Sequence, residues 1–348
     1  MRKIYLKLVM VLALIMIISG CTKTKELEPI SRTEFLMDTV MTVKIYDKPE
    51  EKILEKVFLR LEEIEERMSA TLENSDVAKI NENAGIKPVV VNEDTYFVIS
   101  EAKHFAEISS GAYDPTIGAL VDLWNIKAEE KERESIPTIE DIEKIKAYTN
   151  YNNLELLDNN QIYLKEKNMK INLGGIVKGY ATDEVRRILT ENGVNKAIID
   201  LGGNVFAHGN KLDESLWKIG IQDPFEYTGN FLGVIEVQNK SIVTSGDYER
   251  YFNYNGKKYH HILDAKTGYP SDNEITGVSI ISDKSIDGDA LSTTLFVLGL
   301  DRGIELASSL EGVEAIFVTK SKEIYVPKAL IDKFNLNNKN NSFNIKEY

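Results

Sequence analysis

A single cysteine, Cys21, stands in a chain of 348 residues, so no internal disulfide forms and a cysteine-based metal cluster is excluded. Two phosphate-binding signatures are also missing: there is no GxxxxGK(S/T) loop and no GxGxxG fingerprint. Positive charge is scarce. Lys and Arg number 42 against 55 Asp and Glu, a formal net charge of −13, and such a balance argues against nucleic acid as a partner. No solenoid repeat is present, although Gly-Gly recurs at Gly174-Gly175 and Gly202-Gly203. The apolar run from Leu8 to Ile18 is too short to span a bilayer comfortably.

That run has the build of an export leader. Arg2, Lys3 and Lys7 form a basic start, and the segment ends in Ile18-Ser19-Gly20-Cys21, which resembles a bacterial lipobox. The expectation is a lipoprotein signal peptide over 1–20, lipidation of the Cys21 thiol, and a polar tether over 21–30 that holds the folded part on the extracytoplasmic side of a bacterial membrane. An uncleaved signal anchor is the alternative. Loss of Arg2, Lys3 and Lys7, with no acid in that stretch, takes the formal net charge from −13 to −16. The rest, 31–340, is long enough for one large domain or two intimately associated lobes.

Ile53, Val57, Leu61, Ile64 and Met68 recur at helical spacing, which predicts a long surface helix from Pro49 to Met68. Further helices are expected over Glu93–Ile108 with Asn92 as cap, Thr138–Tyr148, Val177–Asn192 before a Gly193 stop, Asp289–Leu298 and Asp301–Ser309. Between Lys196 and Ser282, short runs follow one another without helices: Lys196–Leu201, Trp217–Ile221, Gly233–Gln238, Ser241–Thr244, Tyr259–Leu263 and Thr276–Ile281. A last pair is expected near Ala315–Thr319 and Glu323–Val326. Grouped strands with short turns favour antiparallel pairing, and grouped helices beside them indicate α+β, with antiparallel or mixed sheets against packed helices. The charged stretch Lys127–Glu134 reads as an exposed loop or helix end.

The segment Ile171 to Val185 reads as an apolar strand, Met169–Leu173, then paired glycines at a tight turn, then an amphipathic helix opening with Lys178. Free amides and the positive end of the macrodipole gather at a helix N-terminus, and glycine lets the backbone approach a pyrophosphate. The ordinary alternative is that Gly174 and Gly175 only turn the chain and Lys178 is solvated. Downstream, Asp289 and Thr293 lie four residues apart, so their oxygens share one helix face. They read as half of a metal site, or as a helix-start acid and a threonine bonded back to the preceding turn.

The blocks Met37–Thr39, Met68–Asn81, Gly111–Trp124, Ile171–Asp183, Ile198–Val205, Ser245–Phe252, His260–Pro270 and Asp287–Gly299 resemble, in order, those of the ApbE family, the FAD:protein FMN transferases. Many members are bacterial lipoproteins. The resemblance implies an ApbE-like fold and a magnesium-dependent reaction that splits FAD at its pyrophosphate, joins FMN to a threonine or serine hydroxyl of a partner protein, and releases AMP. It implies Gly175, through its carbonyl, with Asp289 and Thr293 as metal ligands. It implies Met37, Thr71, Ala112, Tyr113, Asp114, Asn172, Lys178 and Ile262 at the flavin nucleotide. Thr71 and Asn172 depart from the family, where an aromatic and an acid are common; Asn172 keeps its hydrogen bonds and loses a charge, and Thr71 cannot stack.

Tyr113 offers a ring to stack and Asp114 a carboxylate for adenine or ribose, or the two are a half-buried aromatic and an Asp-Pro turn. His260 and His261 sit in a strand-like segment and so point to opposite sides, and the family pattern selects His261 as the base. Arg250 reads as a phosphate contact or the partner of Glu249 or Asp247. The implied acceptor is a subunit of a membrane redox complex of the sodium-pumping or Rnf type. A membrane-anchored FAD pyrophosphatase giving FMN and AMP, or a non-catalytic FAD-binding lipoprotein, is the alternative.

Overall fold

Alternation builds the central sheet. Along Thr39–Ile45 the side chains of Met41, Val43 and Ile45 fall on one face and are fully buried, while Val40 points outward and is exposed. The computed structural model describes residues 28–127, 131–227, 229–337 and 342–348; the leader, Cys21 and most of the tether lie outside them. Thr39–Ile45 forms a hairpin with Ile30–Leu36 and pairs on its other edge with Ala197–Leu201. The sheet continues through Asn204–His208, Lys240–Gly246, Ile275–Ser282, Glu314–Thr319, Glu323–Val326 and Asn344–Glu347. Every pairing is antiparallel except the last. Ile275–Ser282 is buried along its whole length, and on one side Ile281 joins a cluster with Trp217, Ile221, Leu232 and Ile235 from the neighbouring sheet.

Helices cover the other face. The periodic segment becomes α1 (Glu51–Met68), which buries Ile53, Leu54, Val57, Phe58, Leu61, Ile64 and Met68. Next come α2 (Asp76–Glu82), which the periodicity does not reveal, and α3 (Glu93–Ile108). Asn92 stands at the start of α3 but does not cap it, because its amide and Nδ2 both donate to Asp76 Oδ2. After α4 (Gly118–Trp124) and α5 (Ile139–Lys146) comes α6 (Val177–Glu191), followed by Gly193 at φ 74°, the left-handed position expected of a stop. A separate small core of Leu120, Trp124, Ile142, Phe252 and Leu263 joins α4 and α5 to the Tyr251–Tyr254 and Lys257–His260 hairpin, giving a minor lobe beside the main one.

Three expectations need correction. Met169–Leu173 is extended but no strand: only Lys170 makes a bridge, to Ile117, because the segment pairs with a loop. The helix expected to begin at Asp289 begins a turn earlier, as α7 (Ser285–Leu298), and α8 (Leu300–Ser309) follows. The strand expected over Tyr259–Leu263 ends at His260. The charged stretch Lys127–Glu134 is, among its described residues, the exposed loop expected, pinned at Arg133, whose guanidinium donates to the carbonyls of Trp124 and Asn125 and lies over the Phe252 ring.

α6 and α7 meet at Gly179, where a Cβ would lie 2.3 Å from the Ser285 carbonyl oxygen. This approach lets each helix satisfy the other's free amides. Asp183 of α6 accepts from the amides of Ser285 and Ile286 at 2.9 and 3.0 Å, and Asp289 of α7 accepts from the amide of Gly179 at 2.9 Å. Burial raises the Asp183 carboxyl to about 6, although the two amides favour its charged form.

Gly179→Ala is expected to cost about 1–3 kcal/mol of stability, because backbone atoms and not a flexible side chain fill the space; urea denaturation checks this. For Asp183, a folded value near 6 lies above an unfolded value near 3.8, so its contribution is full below the lower value and lost as pH rises through the higher. Denaturation midpoints across that range should show a flatter profile for Asp183→Asn.

Candidate active site

The register collects several turns at one end of the central sheet. Met37 and Asp38, at φ 49° and 59°, connect the first two strands, and Gly202 and Gly203, at φ 64° and 91°, connect the next two. Asn204 pairs with Val243, so Ser245 and Gly246 run past the Gly202-Gly203 turn toward Asp247–Arg250. α1 delivers further residues to this end: Glu65 Oε1 accepts from the Met37 amide at 2.8 Å, and Ser69 Oγ lies 3.0 Å from Thr71 Oγ1. Thr71 is exposed and Met37 partly buried.

The glycine turn is fixed from both sides. Gly118 donates to the Lys170 carbonyl and Asn172 to that of Pro115, which stitches the Ala112–Gly118 loop alongside the extended 170–172 segment. Asn172 Oδ1 accepts from the Gly174 amide at 2.8 Å and so shapes the turn. A Cβ at Gly175 would lie 3.3 Å from the Tyr113 ring and 3.4 Å from Thr293 Oγ1. Thus Gly175, Tyr113 and Thr293, distant in sequence, share one small space. Lys178 Nζ reaches the Gly174 carbonyl at 3.2 Å and Asp289 Oδ1 at 3.4 Å. Asp289 sits one turn from Thr293 and at the positive end of α6, a place that favours negative charge.

Tyr113 is only 5% exposed and its hydroxyl has no hydrogen-bond partner among the described residues. Burial, with the charges of Asp289 and Asp114, holds that phenol well above its ordinary pKa. Asp114 is committed to the loop: Oδ1 accepts from the amide and hydroxyl of Thr116, and Oδ2 from the amide of Tyr151. Its geometry is that of the Asp-Pro turn. Ala112 is buried, as is Ile262, whose carbonyl accepts from Ser271.

The two histidines diverge. His260 is buried, with Nε2 at 2.8 Å from the Ser271 carbonyl. His261 turns the other way, its amide donating to the Arg250 carbonyl at 3.0 Å and its Nδ1 lying 3.2 Å from the same oxygen. With Nδ1–H donating there, Nε2 carries the free lone pair. Burial lowers the His261 pKa well below 6.5, and the positive charges of Arg250 and, last, Lys178 push the same way. Glu249 is raised by burial and by Asp289, and lowered by Lys178 and Arg250. Glu249 is exposed and His261 partly exposed overall, while protein atoms crowd their ionisable ends.

Glu249 and Ser245 are the residues that sequence reasoning passed over. Ser245 Oγ lies 2.8 Å from Ser292 Oγ and 3.5 Å from Thr293 Oγ1. The only signal for either was membership of the Ser245–Phe252 block. Asp247 is no surface partner for Arg250: it is buried and holds Thr276 Oγ1 and Lys258 Nζ, each at 2.9 Å.

Among the described residues no three His, Cys, Asp or Glu side chains converge into a closed metal cage. One carboxylate, one hydroxyl and a backbone turn kept open by glycine form instead an incomplete set of hard oxygens, which fits a magnesium ion that retains waters and takes phosphate oxygens.

Lys178 beside an incomplete set of hard oxygens at the start of α6, and an imidazole oriented by the Arg250 carbonyl, are the residue types of a phosphate-handling α+β enzyme. A sequence model of the ApbE family matches residues 37–317, and the chain belongs to that family. It is 33% identical over 334 residues to the FAD:protein FMN transferase of Treponema pallidum, covering 91% of each chain. To the enzyme of the same name from Klebsiella pneumoniae it is 37% identical over 295 residues, 84% of this chain and 90% of that one. The crystal structure of the ApbE protein of Thermotoga maritima superposes with a TM-score of 0.79 at 33% identity, covering 88% of this chain and 99% of that one.

Since the folded state resists a proton that the unfolded chain takes up near 6.5, His261 contributes stability that is lost as pH falls below that value. In a nitrogen-edited NMR titration its ring should still be neutral at that pH; an imidazolium signal there would contradict the burial described.

Proposed function

We propose that the chain transfers FMN from FAD to a threonine or serine hydroxyl of a flavoprotein, releasing AMP, and that it requires magnesium. The observation that carries this reading is the meeting of Gly175, Asp289, Thr293 and Lys178 at the α6 N-terminus.

Asp289, Thr293 and the Gly175 carbonyl would hold the ion, which when bound neutralises charge building on the diphosphate oxygens. Lys178 Nζ binds the diphosphate, at the positive end of α6. The buried Tyr113 hydroxyl, still without a partner, turns to the same ligand. Met37, Thr71, Ala112, Asp114, Asn172 and Ile262 surround the flavin and adenine ends, Asp114 through the loop it organises. His261 Nε2 takes the proton of the incoming hydroxyl, whose oxygen bonds to the flavin-side phosphorus as the bond to the bridging oxygen breaks. FAD and a protein hydroxyl become a protein–FMN phosphodiester, AMP and a proton. Arg250 positions His261 through its carbonyl.

Lipidation at Cys21 and the tether over 21–30 place this domain on the extracytoplasmic face of the membrane, with a redox-complex subunit of the Rnf or sodium-pumping type as acceptor.

Mixing the soluble part with FAD, magnesium and such a subunit, then following AMP and protein-bound flavin fluorescence, tests the reading. AMP with labelled acceptor supports it; AMP alone indicates hydrolysis, and neither product indicates passive binding. His261→Ala is expected to slow transfer by about 10²–10⁴ with FAD affinity kept, as for a lost general base. Asp289→Ala, or a chelator, should stop AMP release.

A further inference from the structure

Thr293 departs from the habit of the threonines around it. Thr294 donates back to the Ala290 carbonyl at 2.7 Å and Thr182 to that of Lys178 at 2.8 Å, as a helical hydroxyl ordinarily does. The carbonyl one turn before Thr293 is that of Asp289, and the fully buried Ser292 takes it instead, through Oγ at 2.9 Å. Thr293 Oγ1 therefore makes no bond to its own helix. Among the described residues its one hydrogen-bond partner is Ser245 Oγ, at 3.5 Å, the outer limit of such a bond. The close fit of α7 on Lys240–Gly246 brings Ser245 there: a Cβ at Gly288 would lie 3.0 Å from Val243, which shares its strand face with Ser245.

Three hydroxyls thus form a row, from Thr293 through Ser245, which lies 2.8 Å from Ser292 Oγ, to the Asp289 carbonyl. Each hydroxyl carries one hydrogen, and a carbonyl oxygen can only accept. One assignment satisfies all three contacts: Ser292 donates to the carbonyl, Ser245 to Ser292, and Thr293 to Ser245. The hydrogen of Thr293 is then committed on the Ser245 side, and its lone pairs are left for another partner. Space for that partner lies beside Gly175, since Thr293 is partly exposed and a Cβ at Gly175 would come within 3.4 Å of its Oγ1. A cation requires this polarity, because a hydroxyl ligates through its lone pairs and a hydrogen turned inward repels the ion.

Resting on the function proposed above, we propose that Ser245 and Ser292 are positioning residues for Thr293, fixing its hydroxyl with the oxygen turned toward the magnesium ion. Neither serine touches the ion. Their part is to commit the one hydrogen that would otherwise oppose it.

Mn²⁺, followed by the loss of its free-ion EPR signal, reports the site without turnover. Ser245→Ala is expected to weaken Mn²⁺ binding to the protein by about three- to tenfold, the scale of one hydrogen bond, and Ser292→Ala to weaken it by less. In a Thr293→Val background Ser245→Ala should cost nothing further, a silence that general damage to the fold would break. Unchanged Mn²⁺ affinity in Ser245→Ala, or a full additional loss in the Thr293→Val background, would overturn the proposal. If the unaltered protein binds no Mn²⁺, the magnesium requirement fails and this inference with it. If Mn²⁺ responds as expected while no AMP is released, the transfer reading fails and the hydroxyl row keeps its role.

Discussion

The mutual capping of α6 and α7 is the constraint from which the site follows. Each helix offers a carboxylate to the other's free amides, Asp183 in one direction and Asp289 in the other, and Gly179 permits the contact by having no side chain. One of these carboxylates therefore does two things. Asp289 Oδ2 secures α6, which leaves Oδ1 facing Lys178 and the glycine turn. Stability and chemistry share an atom pair, so a change that loosens the helix crossing also moves the charge that organises the cleft.

Around that pair the chain arranges groups by sign. The α6 N-terminus, Lys178 and Arg250 supply positive potential, and Asp289 and Glu249 supply oxygens within it. Burial, with the charges of Arg250 and Lys178, keeps His261 neutral, the state that its proposed role as a base requires. On the far side of the His260 backbone a second polar surface begins, with its own lysines and a different arrangement of acids.

Much of this was legible in the residues. The α1 periodicity, the Gly193 stop, the α+β grouping and the ordered blocks of the ApbE family stand in the sequence because each depends on local spacing or on motifs that run without interruption. The failures are of one kind. Met169–Leu173 has the composition of a strand, yet its neighbour is the Ala112–Gly118 loop and no sheet forms. Asn92 is an excellent cap by type, but Asp76 takes both of its donors. Asp114, open in the sequence to a ligand or to a turn, spends most of its hydrogen bonds on Thr116 and Tyr151. A polar side chain spends its hydrogen bonds on whichever partner folding brings nearest, and that partner is rarely near in sequence.

The sequence by itself determined most of the elements, the family and which residue types could hold a phosphate or a hard cation, because those rest on period, charge and short-range chemistry. Only the tertiary structure decided which of them meet. Gly175 lies more than a hundred residues before Asp289, yet α6 and α7 cross closely enough to put both at one end of the sheet. It likewise decided that Glu249 and Ser245 lie there and that His260 does not, since successive residues at the end of the Lys257–His260 strand turn toward different surroundings.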